Sequence, residues 1–198
     1  MHRLYDLLDG YNLASAADRP RLEDEIWSQL GRQRAPMILD MSGFSMTTRT
    51  YGLIYYLAMV RRMHHITGPL VASHGGTRVK LEADNLYAVF DHVTDAITAA
   101  SAIQSAFAAE QVPKDKDRIR VSIGIGWGRL IEIPDKDFFG DCVNTAAKLG
   151  EDLARGGETL LTRDAFEMLP DGHSFRFERQ AFSISGLDLE AWRLVAGS

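Results

Sequence analysis

The sequence predicts an α/β (α+β) sandwich: a ferredoxin-like β-α-β-β-α-β core, helices packed on a mostly antiparallel sheet, and a C-terminal αβ extension. Three observations predict it. A short apolar run, Ala35 to Met41, precedes a long stretch with apolar residues at helical spacing. Thr77 to Phe90 reads as two strands around a turn near Ala83-Asp84. An alanine-rich helical segment then leads into Arg118 to Trp127, which alternates apolar and polar as a strand does.

Composition sets the outer bounds. A chain of 198 residues suits one domain and is long enough to bury a core without a disulfide or structural metal. With 45% hydrophobic and 25% charged residues it has the balance of a globular protein, not a disordered one. Its 22 basic and 27 acidic residues lack the basic excess of a general nucleic-acid binder, so no nucleic-acid partner is expected. The single cysteine, Cys142, excludes an intramolecular disulfide framework and a cysteine-only zinc cluster, and suits a reducing compartment. The most apolar run, Tyr51 to Val60, ends in Arg61-Arg62 and falls well short of the roughly 20 residues a bilayer requires. The N-terminal residues lack a signal-peptide apolar core, so the expected location is cytoplasmic, with no membrane insertion.

Taken in order, residues 1–34 form a helical extension, in which Leu22, Ile26 and Leu30, with Trp27 beside them, make one apolar stripe and Pro20 suits a first helical turn. This extension either packs onto the domain or belongs to a dimerising helix. The domain proper spans 35–198. Ala35–Met41 is a buried strand, and a helix follows over about Thr50 to Ile66 with Leu53, Tyr56, Leu57, Val60 and Met63 on its apolar face. Gly75-Gly76 ends that pattern before the paired strands. Thr94 to Ala109 is a helix with Thr94 as its N-cap. Asp141 to Ala154 is a helix, Thr159 to Thr162 a strand, Arg163 to Met168 a short helix, and Ser174 to Val195 two or three strands in a meander.

Two carboxylates stand where a strand meets a turn. Asp40 precedes Met41-Ser42-Gly43-Phe44-Ser45, where small residues and a glycine let backbone N–H groups approach a phosphate. Asp84 follows Val79-Lys80-Leu81-Glu82-Ala83. Nucleotide-bound magnesium takes one or two protein carboxylates, so the two aspartates form a candidate metal pair; either alone also looks like a turn-capping acid. Asn144 and Lys148, four apart, share a helical face suited to a sugar oxygen and a phosphate, or simply to solvent. His64-His65 are adjacent on a helix and point apart, with no third ligand evident for a metal. Cys142 near a helix start has the setting for a lowered thiol pKa, although packing is the simpler role. Tyr51, Tyr55 and Tyr56 are expected in the core or at a dimer interface.

These segments occur in a telling order: the Asp40–Ser45 stretch, Gly75-Gly76 with Lys80 and Asp84, Gly124-Ile125-Gly126-Trp127-Gly128-Arg129, then Gly140-Asp141-Cys142-Val143-Asn144-Thr145-Ala146-Ala147-Lys148-Leu149. In that order they resemble the catalytic domain of class III nucleotidyl cyclases, over roughly residues 35–195. The resemblance implies that Asp40 and Asp84, with the Met41 carbonyl, hold two Mg²⁺ or Mn²⁺ ions per active site. It implies that Ser42, Gly43, Phe44 and Ser45 wrap the triphosphate. Lys80 stands where adenylyl cyclases carry the lysine that reads adenine, and Asp137 where they carry the aspartate that accepts from its amino group. Asn144 matches the residue that orients the ribose, Lys148 replaces the arginine that stabilises the transition-state phosphate, and Arg129 matches a basic phosphate ligand.

The activity so implied is adenylate cyclase, making 3′,5′-cyclic AMP and pyrophosphate from ATP at two sites shared across a homodimer. A guanylyl or pyrimidine-nucleotide cyclase, or a catalytically silent nucleotide-binding signalling domain, are the alternatives. Four departures from the family pattern bear on rate and metal preference. Glu82-Ala83 replaces an apolar-Gly pair, Lys148 replaces arginine, the 129–137 segment is short, and Ile184-Ser185-Gly186 aligns where relatives carry a phosphate-binding lysine.

Overall fold

Strand β1 (Gly31–Met41) organises the molecule, and its centre is buried because the sheet is covered on both faces. The structure is a computed structural model describing residues 2–111, 118–133, 136–184 and 187–195, with the side chains of residues 2, 44, 45, 184, 187 and 188 outside the described set. Ser185 and Gly186 therefore lie outside it too. Two helices, α1 (His2–Leu13) and α2 (Arg19–Leu30), precede β1. Helices α3 (Phe44–Tyr51) and α4 (Leu53–Ser73) lead to the hairpin β2 (Thr77–Glu82) and β3 (Asn85–Phe90). Helix α5 (Val93–Ala109), strands β4 (Val121–Ile125), β5 (Gly128–Ile133) and β6 (Asp137–Phe139), and helix α6 (Asp141–Ala147) follow. Helix α6 continues as a π-helical segment, Lys148–Leu153, before β7 (Thr159–Thr162), α7 (Arg163–Glu167), β8 (Arg176–Ile184) and β9 (Leu187–Val195).

The sheet runs β2-β3-β1-β4-β7-β9-β8, with β5 and β6 branching from β1. Its first four strands have the ferredoxin-like order, and only the β4–β7 pairing is parallel. Alternation along β1 divides two cores. Met37, Leu39 and Met41 pack with Leu86, Phe90, Ile123 and helices α4 and α5, whereas Ile38 packs with Val79, Val89 and α6. Helix α6 crosses so close to β4 that a Cβ on Gly124 would lie 2.0 Å from the Ala146 carbonyl oxygen. Only glycine fits there.

Several expectations need correction. Gly31–Arg34, assigned to the helical extension, pair with β5 as the start of β1. The helix expected over Thr50–Ile66 is two helices, because Gly52 adopts φ 85°, and the second runs on to Ser73. Its buried stripe is Tyr56, Met59, Val60, Met63, Thr67 and Val71. Leu57 lies roughly 100° round the helix from the centre of that stripe and Leu53 is in the first turn; both are half exposed. Helix α5 starts at Val93 with His92 at its N-cap, so Thr94 sits inside its first turn. The 129–137 segment forms the unanticipated β5–β6 hairpin, and the tail resolves into two strands. The α1–α2 pair packs onto the domain: Leu4 and Ile26 are buried against Ile133 of β5. No helix among the described residues is long and apolar enough to cross a membrane.

Candidate active site

Asp40, one residue from the end of β1, lies opposite Asn85 of β3 and Ser122 of β4. Asp84 occupies the two-residue turn between β2 and β3, closed by the Glu82–Asn85 pair. Such tight hairpin turns want positive φ, and Ala83 supplies it at 51°, a left-handed conformation costing about 1 kcal/mol without glycine. The two aspartates feel one another. Burial first, then the charges of Asp84 and Glu151, push the Asp40 carboxyl up to about 6, opposed by a hydrogen bond from the Met41 backbone. From α4, the buried Tyr56 hydroxyl lies close to Asp84, and burial followed by that carboxylate raises its pKa strongly. Glu151 of the π segment accepts from the Tyr87 hydroxyl at 2.9 Å and from Asn85 Nδ2 at 3.2 Å, which holds a third carboxylate near Asp40.

This donor set suits a divalent cation. Among the described residues no Lys or Arg pairs with Asp40 or Asp84, so their mutual repulsion stands uncompensated. No group of three or more His, Cys, Asp or Glu has metal-holding geometry among the described residues. A cation here would take the two aspartates plus oxygens from elsewhere, as Mg²⁺ does with nucleotide phosphates. The adjoining turn keeps Met41 buried, while the Ser42 N–H donates to the Arg120 carbonyl at 3.0 Å. Gly43, at φ 102°, precedes α3, so Phe44 and Ser45 form the first turn of that helix and not a free loop. Their side chains lie outside the described residues.

Lys80 and Asp137 meet directly. Lys80 Nζ lies 3.3 Å from Asp137 Oδ1, 3.2 Å from Glu82 Oε2 and 4.7 Å from the centre of the Tyr87 ring. A β-bulge between Arg78 and Lys80 makes this possible. Strict alternation would send Val79 and Lys80 to opposite faces; the extra residue lets both face α6, Val79 into its core and Lys80 over Tyr87. Burial works against the ammonium, but Glu82 and Asp137 outweigh it and the Lys80 pKa is raised.

Asn144 and Lys148 share the exposed side of α6, as their spacing predicts, and Lys148 donates to Asp152 at 2.8 Å at the start of the π segment. Arg129 is elsewhere. It pairs across from Gln33, seven residues along β1 from Asp40, roughly 23 Å away for an extended strand. Its guanidinium lies 4.4 Å over the Trp27 ring. Sequence reasoning missed Glu151, Asn85 and Tyr87, and it placed Tyr56 in the core or at a dimer interface, not beside Asp84. Asn85 follows Asp84 directly and was the one discoverable signal; Glu151 depends on a π register that no periodicity announces. Cys142 is buried, and burial first pushes its thiol up to about 11, the reverse of helix-end activation.

The fold is that of class III nucleotidyl cyclase catalytic domains, and the resemblance seen in the sequence is borne out. A putative adenylate cyclase 3 of Rhizobium meliloti (strain 1021) is 32% identical over 134 residues, covering 66% of this chain and 22% of its own length. The chain thus spans under a quarter of that relative. An adenylate/guanylate cyclase/hydrolase from Silicibacter pomeroyi superposes with TM-score 0.67 at 29% identity, covering 85% of this chain and 99% of that one. The catalytic core of a rhodopsin-guanylyl cyclase with converted specificity, in complex with ATPalphaS, gives TM-score 0.72 at 17% identity over 84% and 98% of the two chains, a likeness of fold alone. No family model matches.

Proposed function

We propose that the chain is an adenylate cyclase that converts ATP to 3′,5′-cyclic AMP and pyrophosphate, with two Mg²⁺ or Mn²⁺ ions per site and a homodimer as its working form. The observation that carries this reading is the 3.3 Å approach of Lys80 to Asp137. An ammonium donor beside a carboxylate acceptor complements adenine, which sets an acceptor ring nitrogen next to a donor amino group. Guanine would turn its carbonyl toward Asp137, and a buried mismatch of that kind costs on the order of a few kcal/mol.

Asp40, Asp84 and the Met41 carbonyl would hold the cations, which when bound supply charge neutralisation for the attacking and departing oxygens. Gly43, Phe44 and Ser45 at the start of α3 offer backbone N–H groups to the phosphates, while the Ser42 N–H stays with the Arg120 carbonyl, and the Tyr56 hydroxyl lies close to the Asp84 carboxylate. Asn144 orients the ribose so that its 3′-oxygen lines up with the α-phosphorus, and Lys148 offers its ammonium to the charge that develops there. Arg129, beside Trp27 and far along β1 from its own Asp40, serves as a phosphate ligand only if it reaches a site other than its own chain's. In a site shared across the homodimer, Asp84 and Lys80 of one chain serve different nucleotides. Mass spectrometry of the products from each nucleoside triphosphate, with either metal, tests the reading. Cyclic AMP from ATP is expected; cyclic GMP as the main product, or no cyclic nucleotide at all, would overturn it.

A further inference from the structure

A cleft of about 560 Å³ lies between α4 and the edge strand β2, lined by Arg61, His64 and His65 on the helix and by Arg78 and Leu81 on the strand. The bulge that turns Lys80 toward α6 leaves Arg78 and Leu81 to face α4. Gly68 keeps the helix surface low beneath Arg78: a Cβ there would lie 3.7 Å from Arg78 Nη1. No carboxylate among the described residues lines the cleft. Arg61 and Arg78 form no ion pair among the described residues, whereas Arg34, Arg62, Arg163, Arg179 and Arg193 each have a carboxylate partner. What sets Arg61 and Arg78 apart is that two arginines and two histidines line one hollow in a chain with 27 acidic against 22 basic residues.

His64 adds to this. Its Nε2 is shielded from solvent and has no hydrogen-bond partner among the described residues. Burial first, then the Arg78 and Arg61 charges, lower its pKa, with Asp84 opposing and His65 reinforcing. The lining of the cleft is therefore cationic, with Asp84 the one carboxylate among the described residues whose charge is felt at His64. The two histidines line one hollow with the arginines.

We propose that this cleft binds a small phosphate-bearing anion, an inorganic polyphosphate or the phosphate chain of a nucleotide, at a site separate from the Asp40–Asp84 pair. Guanidinium forks match phosphate oxygens in bidentate geometry, and the imidazoles add single donors. The concavity and the small number of groups favour a compact anion. The net negative charge of the whole chain offers no basic track for a longer polyanion.

The test uses tripolyphosphate as the probe in EDTA-treated protein, so that phosphate binding through divalent cations is removed. Calorimetric titration is expected to show one saturable site. Arg78→Gln and Arg61→Gln should each weaken it about tenfold or more, and Arg78→Lys should recover part of the loss. Both arginines are exposed, and circular dichroism separates lost binding from lost fold. Lys148→Gln and Asp40→Asn should leave the affinity unchanged. Equal affinity for ATP and tripolyphosphate supports recognition of the phosphate chain alone, and tighter ATP binding supports a nucleotide. Binding that survives Arg78→Gln, that disappears in Lys148→Gln, or that is seen only with anionic lipid vesicles, overturns the proposal. None of these outcomes depends on cyclase activity, so the cyclase reading stands or falls separately.

Discussion

The α6 face of the sheet carries two charged clusters built on opposite electrostatic principles. At Asp40, Asp84 and Glu151, like charges converge and the Asp40 carboxyl is pushed up to about 6. At Lys80, Glu82 and Asp137, opposite charges satisfy one another. The first cluster holds an unmet demand for positive charge. The second is already neutralised, and what it offers is a directional pattern of donor and acceptor. The difference teaches that one strand hairpin, β2–β3, can present clustered carboxylates at its tip and one partner of a donor–acceptor ion pair along its side, with Tyr87 touching Lys80 through its ring and Glu151 through its hydroxyl.

The sharpest way to break this comparison is to remove the demand. Asp40→Asn or Asp84→Asn should lower cyclic-nucleotide formation by about a thousandfold or more while circular dichroism stays native, since several kcal/mol of transition-state stabilisation goes with the cation. Near-normal turnover in either variant would remove the metal assignment. Inverting the satisfied cluster comes next. Lys80→Glu combined with Asp137→Cys should shift the ATP-to-GTP preference by about a hundredfold toward GTP, read as the ratio of kcat/KM values. An unchanged ratio would mean the base is read elsewhere.

A third experiment asks whether the two clusters of one chain serve different sites. Asp84→Ala and Asn144→Ala proteins should each be inactive, and mixing them should restore about a quarter of wild-type activity. Half the randomly exchanged dimers are mixed, each with one intact site. Differently tagged chains report the exchange, and exchange without recovered activity would place the whole site within one subunit.

The smallest effect is thermodynamic. Because the folded Asp40 carboxyl binds its proton more tightly than the ordinary value of 3.8, its contribution to stability is full below pH 3.8, falls as pH rises to about 6, and is flat beyond. Asp40→Asn should therefore stabilise protein stripped of divalent cations by about 1–2 kcal/mol at pH 7, discounted for partial solvent screening, and by little near pH 4. Urea melts at the two pH values measure it; equal differences at both would show that Asp40 is not strained by its neighbours.

Much of this was legible in the residues. Period-2 alternation and turn chemistry located β2, β3, β4 and β7, and the ordered motifs singled out Asp40, Asp84, Lys80, Asn144 and Lys148 as candidates, with Asp137 following from its spacing to Asn144. What escaped depends on deviations from regular periods. The bulge at Arg78/Lys80 decides which face Lys80 occupies, and the π segment decides where Glu151 points; neither leaves a local signature in residue type. The start of β1 was misplaced because Gly31-Arg32-Gln33-Arg34 is too polar to read as a strand, and it becomes one only by pairing with β5. Arg129 matched its motif, yet its environment is made by Trp27, about a hundred residues earlier in the chain.

The position of β1 at the centre of the sheet has a consequence in time. It is the first of the described strands to be made, its neighbours β3 and β4 lie well downstream, and no described residue N-terminal to it pairs with it. Its apolar stretch, Met37 to Leu39, must wait until Ile125 has been synthesised before both edges are covered. At ribosomal speeds that is on the order of ten seconds with a sticky strand uncovered, followed by slow, non-local pairing. The order of strands therefore makes the nascent chain most vulnerable to aggregation, and most dependent on chaperones, between the emergence of residue 41 and that of residue 125.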